Sequence, residues 1–290
     1  MNQILVTLLS CFALLPTPVA ADGTLDKILS DRYHDKVLVL RQPLQSDYQQ
    51  YDSEGKPLMV APAGPWTIYQ GVVVKKIELD GDQLRFECKR VIYVFKQDRL
   101  VPFQSNEDVR ITVRLKNPSP SVDEAGRLLN SIFMFDEEAI VNAAPSYWRP
   151  YLRHPEPNRF AKTEPRGDDP PQSQAKESSA TSSDADRFDG GVKVHSLGEP
   201  GMTNPKCFLK PDPEFSEYAR KLHLKGVVGI NATIDSSGQV KDMVIIKPMG
   251  AGLDEQAVNT ISTWRCDPAK KDGQPVAVVI YIETDFHSSD

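Results

Sequence analysis

The chain has 290 residues, room for two ordinary domains, and 40% of them are hydrophobic, enough for a core in each. A formal net charge of −6 and the lack of any clustered Lys/Arg run exclude the basic footprint that phosphate neutralisation demands, so nucleic acid is not an expected partner.

At the N-terminus an apolar run from Ile4 to Leu15 precedes Pro16-Thr17-Pro18-Val19-Ala20-Ala21, whose small residues fit a signal-peptidase site before Asp22. Residues 1–21 are therefore expected to be a secretory signal peptide, although the n-region offers only its terminal amine and no Lys or Arg. Two alternatives stay open. An uncleaved anchor would have to manage with about 12 strongly apolar residues where roughly 20 span a bilayer, and a lipoprotein site at Leu8-Leu9-Ser10-Cys11 would lie before the end of the apolar run. The expected location is the periplasm, with membrane association left open by those alternatives.

Residues 22–154 read as a mostly-β domain. Val37 to Leu40, Trp66 to Leu79, Gln83 to Phe95 and Val109 to Leu115 are β-rich, and Asp80-Gly81-Asp82 between two of these runs signals a hairpin. A single helix is expected next, because Ser121 and Glu124 have capping-box spacing ahead of Ala125, Leu128, Leu129, Ile132 and Phe133 at helical intervals. Trp66, Tyr147 and Trp148 are expected to pack in the core or at its edge. Nothing in this region defines a function.

Residues 155–192 turn to Pro, Ser, Asp, Glu, Gln and Ala with almost no aliphatic side chain, so they cannot bury enough apolar surface to offset ordering, and a disordered linker is expected. As a flexible coil its roughly 37 residues would hold their ends about 35 Å apart, and in polyproline-like form they would reach about 110 Å.

In residues 193–290, Phe215, Tyr218, Ala219 and Leu222 share one helical face, with Gly226 placed to terminate the helix. Val228, Ile230, Ala232 and Ile234 then alternate as a strand, Asp235-Ser236-Ser237-Gly238 supplies a turn, and Val240 to Ile246 returns. Gly252 opens a second helix with Leu253, Ala257, Ile261 and Trp264 on one face and Pro268 past its end; Asp254 and Glu255 sit in its first turn, where the helix dipole favours negative charge. After Asp272-Gly273, Val276, Val278, Ile280 and Ile282 alternate with Ala277, Val279, Tyr281 and Glu283 in a last strand. Helix, strand, strand, helix, strand is most simply a three-stranded mixed sheet with both helices on one side, the first strand central and the second and third parallel to each other. The expected class is α+β, with this C-terminal domain preceded by the β-rich domain and the linker.

Signatures of chemistry are sparse. His34, His154, His195, His223 and His287 are scattered, with no His-x-x-x-His or Cys-x-x-Cys spacing, and there is no nucleophile elbow, phosphate loop or dinucleotide fingerprint. No metal, cofactor or catalytic residue is expected, and the chain is not read as an enzyme. Removal of the signal leaves Cys88, Cys207 and Cys266, an odd number in an oxidising compartment, either as one bridge and a free thiol or as three buried thiols.

Four pieces of the C-terminal region carry a family resemblance: Pro213 to Gly226, the hairpin Val227 to Ile246, Gly252-Leu253-Asp254-Glu255-Gln256-Ala257, and Trp264-Arg265-Cys266-Asp267-Pro268-Ala269. In this order and spacing they resemble the C-terminal domain of TonB energy-transducing proteins, with Gly226, Gly238, Leu253, Asp254, Ala257, Trp264, Arg265 and Pro268 at family-motif positions. The resemblance implies binding of an extended peptide from an outer-membrane TonB-dependent transporter, or from another envelope protein, along the edge of the third strand. It assigns Val276, Val278, Ile280 and Ile282 to that strand and adds Asp212, Glu214 and Phe215 as side-chain contacts. Cys266 takes the place of an aromatic that such domains carry two residues after the Trp, and the resemblance implies a Cys207–Cys266 disulfide. An envelope scaffold using the same domain without energy transduction is the alternative, and a homodimer and contact with a proton-motor complex stay open.

Overall fold

The computed structural model describes residues 24–154, 188–189 and 192–287. The expected signal peptide and most of the expected linker lie outside the described residues. Contacts divide the chain into two compact units, Met1–Pro145 with Gly250–Gly252, and Ser146–Met249 with Leu253–Asp290.

The first unit runs α1 (Leu25–Tyr33), β1 (Val37–Leu40), β2 (Tyr48–Tyr51), α2 (Trp66–Tyr69), β3 (Gly71–Asp80), β4 (Gln83–Lys96), β5 (Arg99–Arg114), α3 (Val122–Ile132), β6 (Phe133–Met134) and α4 (Glu137–Ala143). Its six-stranded sheet has the order β2-β5-β4-β3-β1-β6, antiparallel except for β2 beside β5. Leu29, Leu40, Leu84, Phe86, Ile111, Leu129 and Phe133 fill a core of fully or nearly fully buried side chains. Asp80 pairs with Gln83 across the expected hairpin, whose Gly81 has φ 60°. The capping box of α3 is formed, Ser121 Oγ accepting from the Glu124 N–H while a Glu124 carboxylate oxygen accepts from the Ser121 N–H.

Three expectations for this unit change. The run from Trp66 begins as one helical turn, with the Ile68 and Tyr69 N–H groups returning to Pro65 O, and the strand starts only at Gly71. Strand β5 begins at Arg99 rather than Val109, because Gln97 (φ 51°) and Asp98 (φ 60°) make a two-residue turn without glycine. Among the described residues the helices of this unit are four rather than one.

The second unit comprises α5 (Arg149–Arg153), β7 (Phe188–Asp189), β8 (Val192–Ser196), β9 (Met202–Thr203), β10 (Lys206–Leu209), α6 (Glu217–Lys221), β11 (Gly226–Ile234), β12 (Val240–Lys247), α7 (Leu253–Ile261), β13 (Arg265–Asp267), β14 (Ala269–Lys271) and β15 (Gln274–Phe286). Strand β11 is central and antiparallel to both β12 and β15, so the latter two run parallel, as the order of elements requires. Val228, Ile230, Ala232 and Ile234 are buried, and Leu253, Ala257 and Ile261 of α7 are fully buried. Asp254 and Glu255 are buried too. The Asp254 Oδ1 accepts from the Met249 N–H at 2.9 Å and the Glu255 Oε1 from Trp148 Nε1 at 3.2 Å, so packing as well as the helix dipole accounts for them. Trp148 itself is fully buried, and the preceding Tyr147 O accepts from the Ile245 N–H of β12. Trp264 lies beyond the end of α7, its Nε1 donating to Pro211 O.

Gly226 does not end the first C-terminal helix. The stop is His223 at φ 50°, with the Leu224 N–H returning to Ala219 O and the His223 N–H to Arg220 O, a Schellman closure in which histidine holds the left-handed position. Gly226 instead opens β11. Because a Cβ makes that conformation costly, His223→Gly is expected to raise the unfolding free energy by about 0.5–1 kcal/mol, measured by urea denaturation of the full chain.

Candidate functional site

The site expected from the sequence is the edge of the last strand. One side of β15 pairs with β11 from Gly226↔Phe286 to Ile234↔Val278. Gln274 to Val276 pair with β14 across the Asp272-Gly273 turn, where φ values of 50° and 83° suit a tight hairpin. Val278 and Val279 are paired a second time, because β8 lies parallel to β15 on the side away from β11, with Ala277↔Val194, Val278↔His195 and Val279↔Ser196. Strand β7 in turn pairs with β8, at Phe188↔Lys193 and Asp189↔Val192. Among the described residues no strand pairs the same side of Ile280–Phe286. Strand β8 therefore covers three residues of this side, and no described strand covers the next seven.

The residues expected to bind peptide are placed as follows. Val278 and Ile282 are buried and Val276 and Ile280 half-buried, so this row of side chains serves the core and what it can offer a partner is backbone. Phe215 reaches the far end of the strand, its ring edge-on to Phe286 at 5.4 Å. Asp212 and Glu214 are exposed. On the opposite face of the strand Tyr281 is 36% exposed, and a Cβ added at Gly229 of β11 would meet its hydroxyl at 2.4 Å, so the glycine gives that ring its place.

The sequence reading missed β8 and the polar knot that fastens it. Glu199 Oε2 lies 2.9 Å from His195 Nδ1 and accepts from Lys271 Nζ, while its Oε1 accepts from the Ser196 N–H at 3.1 Å. Hydrogen bonding from Lys271, then from His195, holds the Glu199 carboxyl down at about 2 against the opposing effect of burial. The signal available in the sequence was the short alternation Val192-Lys193-Val194-His195-Ser196, adjoining polar, glycine-containing chain.

Behind this edge the sheet is pinned by the hairpin turn and a disulfide. Cys207 and Cys266 are bonded and face each other across β10 and β13, while Cys88 is buried and free with its thiol pushed up to about 12 by burial. The Cys266 N–H donates to Gly238 O, joining the bridge to the turn, and Gly238 has φ 82° in a spot where a Cβ would meet Cys266 O at 1.7 Å. Arg265 beside it is exposed, its guanidinium donating to Trp264 O, and Pro268 separates β13 from β14. Among the described residues no group of three or more His, Cys, Asp or Glu could hold a metal, and no helix is long and apolar enough to cross a membrane.

Two outcomes follow for this frame. The double variant Cys207→Ser/Cys266→Ser opens a loop with a sequence separation of 59, and it is expected to lower stability by up to about 4 kcal/mol; non-reducing peptide mapping of the parent should recover the two cysteines in one fragment. At the turn, burial raises the Asp235 carboxyl pKa but is outweighed by bonds from Lys241, Ser237 and Gln239, leaving it well below 3.8. A depressed folded value stabilises above the unfolded one, so the deficit of Asp235→Asn, about 1–2 kcal/mol at pH 7, should shrink as the pH falls below 3.8 and through the lower folded value, read by chemical denaturation across that range.

Comparison with known proteins bears on the same region. The family model described as "Gram-negative bacterial TonB protein C-terminal" matches residues 211–288. No curated protein sequence matches the chain. Among solved structures, the solution NMR structure of the Pseudomonas aeruginosa TonB C-terminal domain aligns with 33% of this chain and 98% of its own length, at 16% identity and a TM-score of 0.24. The fold stands on the pairing geometry above rather than on that alignment.

Proposed function

Residues 211–288 are a TonB C-terminal domain, and from that premise we propose that the chain is an exported envelope protein whose C-terminal unit captures an extended peptide by adding it as a strand to the outer edge of β15. The observation that carries the reading is the open stretch Ile280–Phe286, a row of backbone groups that no described strand pairs on the side away from β11. An edge of that length is a template for a further strand. Main-chain bonds would supply affinity, and Phe215 against Phe286 would frame the far end. The expected partner is the periplasmic segment of an outer-membrane TonB-dependent transporter or of another envelope protein. Coupling to proton-motive energy would enter through the N-terminal segment, which lies outside the described residues.

Backbone N–H groups of successive strand residues point to opposite sides, so of Tyr281 and Ile282, paired with Asn231 and Ile230 on the β11 side, one donates inward and the other toward the open edge. Proline removes the donor. Of Tyr281→Pro and Ile282→Pro, one is expected to unfold the C-terminal unit and the other to remain folded while losing affinity for a synthetic peptide from a transporter's periplasmic N-terminus, measured by isothermal titration calorimetry on the full chain. A folded variant that binds as tightly as the parent would leave the envelope-scaffold reading in its place.

A further inference from the structure

The outer edge of β15 is not uniformly vacant, and the strand that covers part of it comes from the chain itself. Residues 192–196 pair with Ala277–Val279 in parallel, at the end of the edge adjoining the open stretch. The ladder to β15 is short: it has three register pairs, parallel pairing is somewhat weaker per residue than antiparallel, and Lys193 and Ser196 are exposed while Val194 is partly buried and the His195 side chain is 12% exposed. Glu199 fastens its end, gathering the Ser196 N–H, His195 and Lys271 of the β14–β15 hairpin onto one carboxylate.

We propose, resting on the strand-addition reading above, that β8 is a resident plug: it occupies the start of the acceptor edge, and an incoming strand must displace it. Residues Ile280–Phe286, which no described strand pairs on that side, are the landing stretch. An incoming peptide first pairs there and then extends toward Ala277, exchanging its own backbone bonds for those of Val194 to Ser196. The residues of the plug state what the edge accepts. An extended segment of at least five residues is required, with a β-branched side chain of valine size beside Ala277, which is 2% exposed, and a hydrogen-bonding side chain beside Val278, where His195 now sits. The Glu199 knot sets how far the equilibrium favours the closed state, and the plug lowers the apparent affinity of the edge by the fraction of time that it is displaced.

The test uses the full chain and a fluorescein-labelled synthetic peptide copying Phe188–Gly198, read by fluorescence anisotropy. Because alternate N–H groups point to opposite sides, Val194→Pro/His195→Pro removes whichever of the two donates to β15. This double variant is expected to bind the peptide at least about tenfold more tightly than the parent, and amide hydrogen exchange at Ala277–Val279 should speed up in the variant and slow again on addition of peptide. Should the prolines unfold the unit, judged by near-ultraviolet circular dichroism, Glu199→Gln takes their place and should raise affinity by about threefold or more. Equal affinity of parent and released variant would overturn the plug while leaving the acceptor edge intact. Equal protection of Ala277–Val279 in both would also overturn it, since β8 would not be what covers them. Failure of both to bind, with those amides freed in the variant, would take down the acceptor edge and the plug with it.

Discussion

Every buried backbone N–H and C=O must find a partner, and in the C-terminal unit that demand falls most heavily on β15. Its thirteen residues carry the core face through Val278, Ile282 and Phe286, so the strand cannot be moved or shortened without opening the sheet. Strand β11 satisfies one side over nine register pairs. Among the described residues β14 pairs with Gln274–Val276 and β8 pairs with Ala277–Val279 on the side away from β11. Strand β11 thereby fixes the geometry of the edge. The disulfide and the Gly238 turn meet through the Cys266 N–H, and Asp254 and Glu255 accept from Met249 N–H and Trp148 Nε1, so the rest of the unit is cross-linked by bonds distant in sequence.

The parts of this frame that were legible in the sequence are those with a strong local period. Val228 to Ile234 could be read because a half-buried strand alternates, and Leu253, Ala257 and Ile261 because a covered helix repeats near every fourth residue. What escaped was set by contacts distant in sequence. The strand character of β8 depends on β15, more than 80 residues away by number, and an alternation of only five residues is too short to mark a strand without that partner. Trp66 to Tyr69 are strand formers by composition yet make a helical turn, because bonds to Pro65 O and stacking of Trp66 on Tyr93 decide the matter. His223 illustrates a third kind of miss. The left-handed stop was looked for at the nearest glycine, and the chain placed it three residues earlier on a residue that tolerates it less well.

The first unit shows the same tension between local preference and tertiary need in its charges. Arg90 is fully buried in the middle of β4, an unfavourable site for a guanidinium. It is held at 2.5 Å from Asp47 and 3.4 Å from Glu107, with the ring of Tyr69 4.5 Å away. The carboxylate side of these contacts meets solvent, Asp47 being 68% exposed and Glu107 33%, so water screens the pairs there while the guanidinium itself stays buried. Arg90 thus ties β4 to the chain just before β2 and to the one-turn helix α2, two parts of this unit that sequence patterning did not reveal as such. It gives those pieces a fixed place without itself marking a chemical site.

On the plug proposal, the competition at the β15 edge would turn on length rather than on strength per residue. A resident strand tethered to the same chain acts at an effective concentration on the order of millimolar when its tether is short, and a free peptide at micromolar concentration starts about a thousandfold behind. Each handicap of this size amounts to roughly 4 kcal/mol, since a factor of ten is about 1.4 kcal/mol. The plug spends its advantage on three register pairs and a single carboxylate knot. An incoming strand that spans Ala277–Phe286 gains the open stretch as well, where the plug has nothing, and a net contribution of about 0.5–1.5 kcal/mol per added backbone bond recovers the deficit over a handful of bonds. Short segments would therefore be excluded and long extended ones admitted, which would make the part of the edge that no described strand covers, rather than the covered part, the determinant of what the domain could hold.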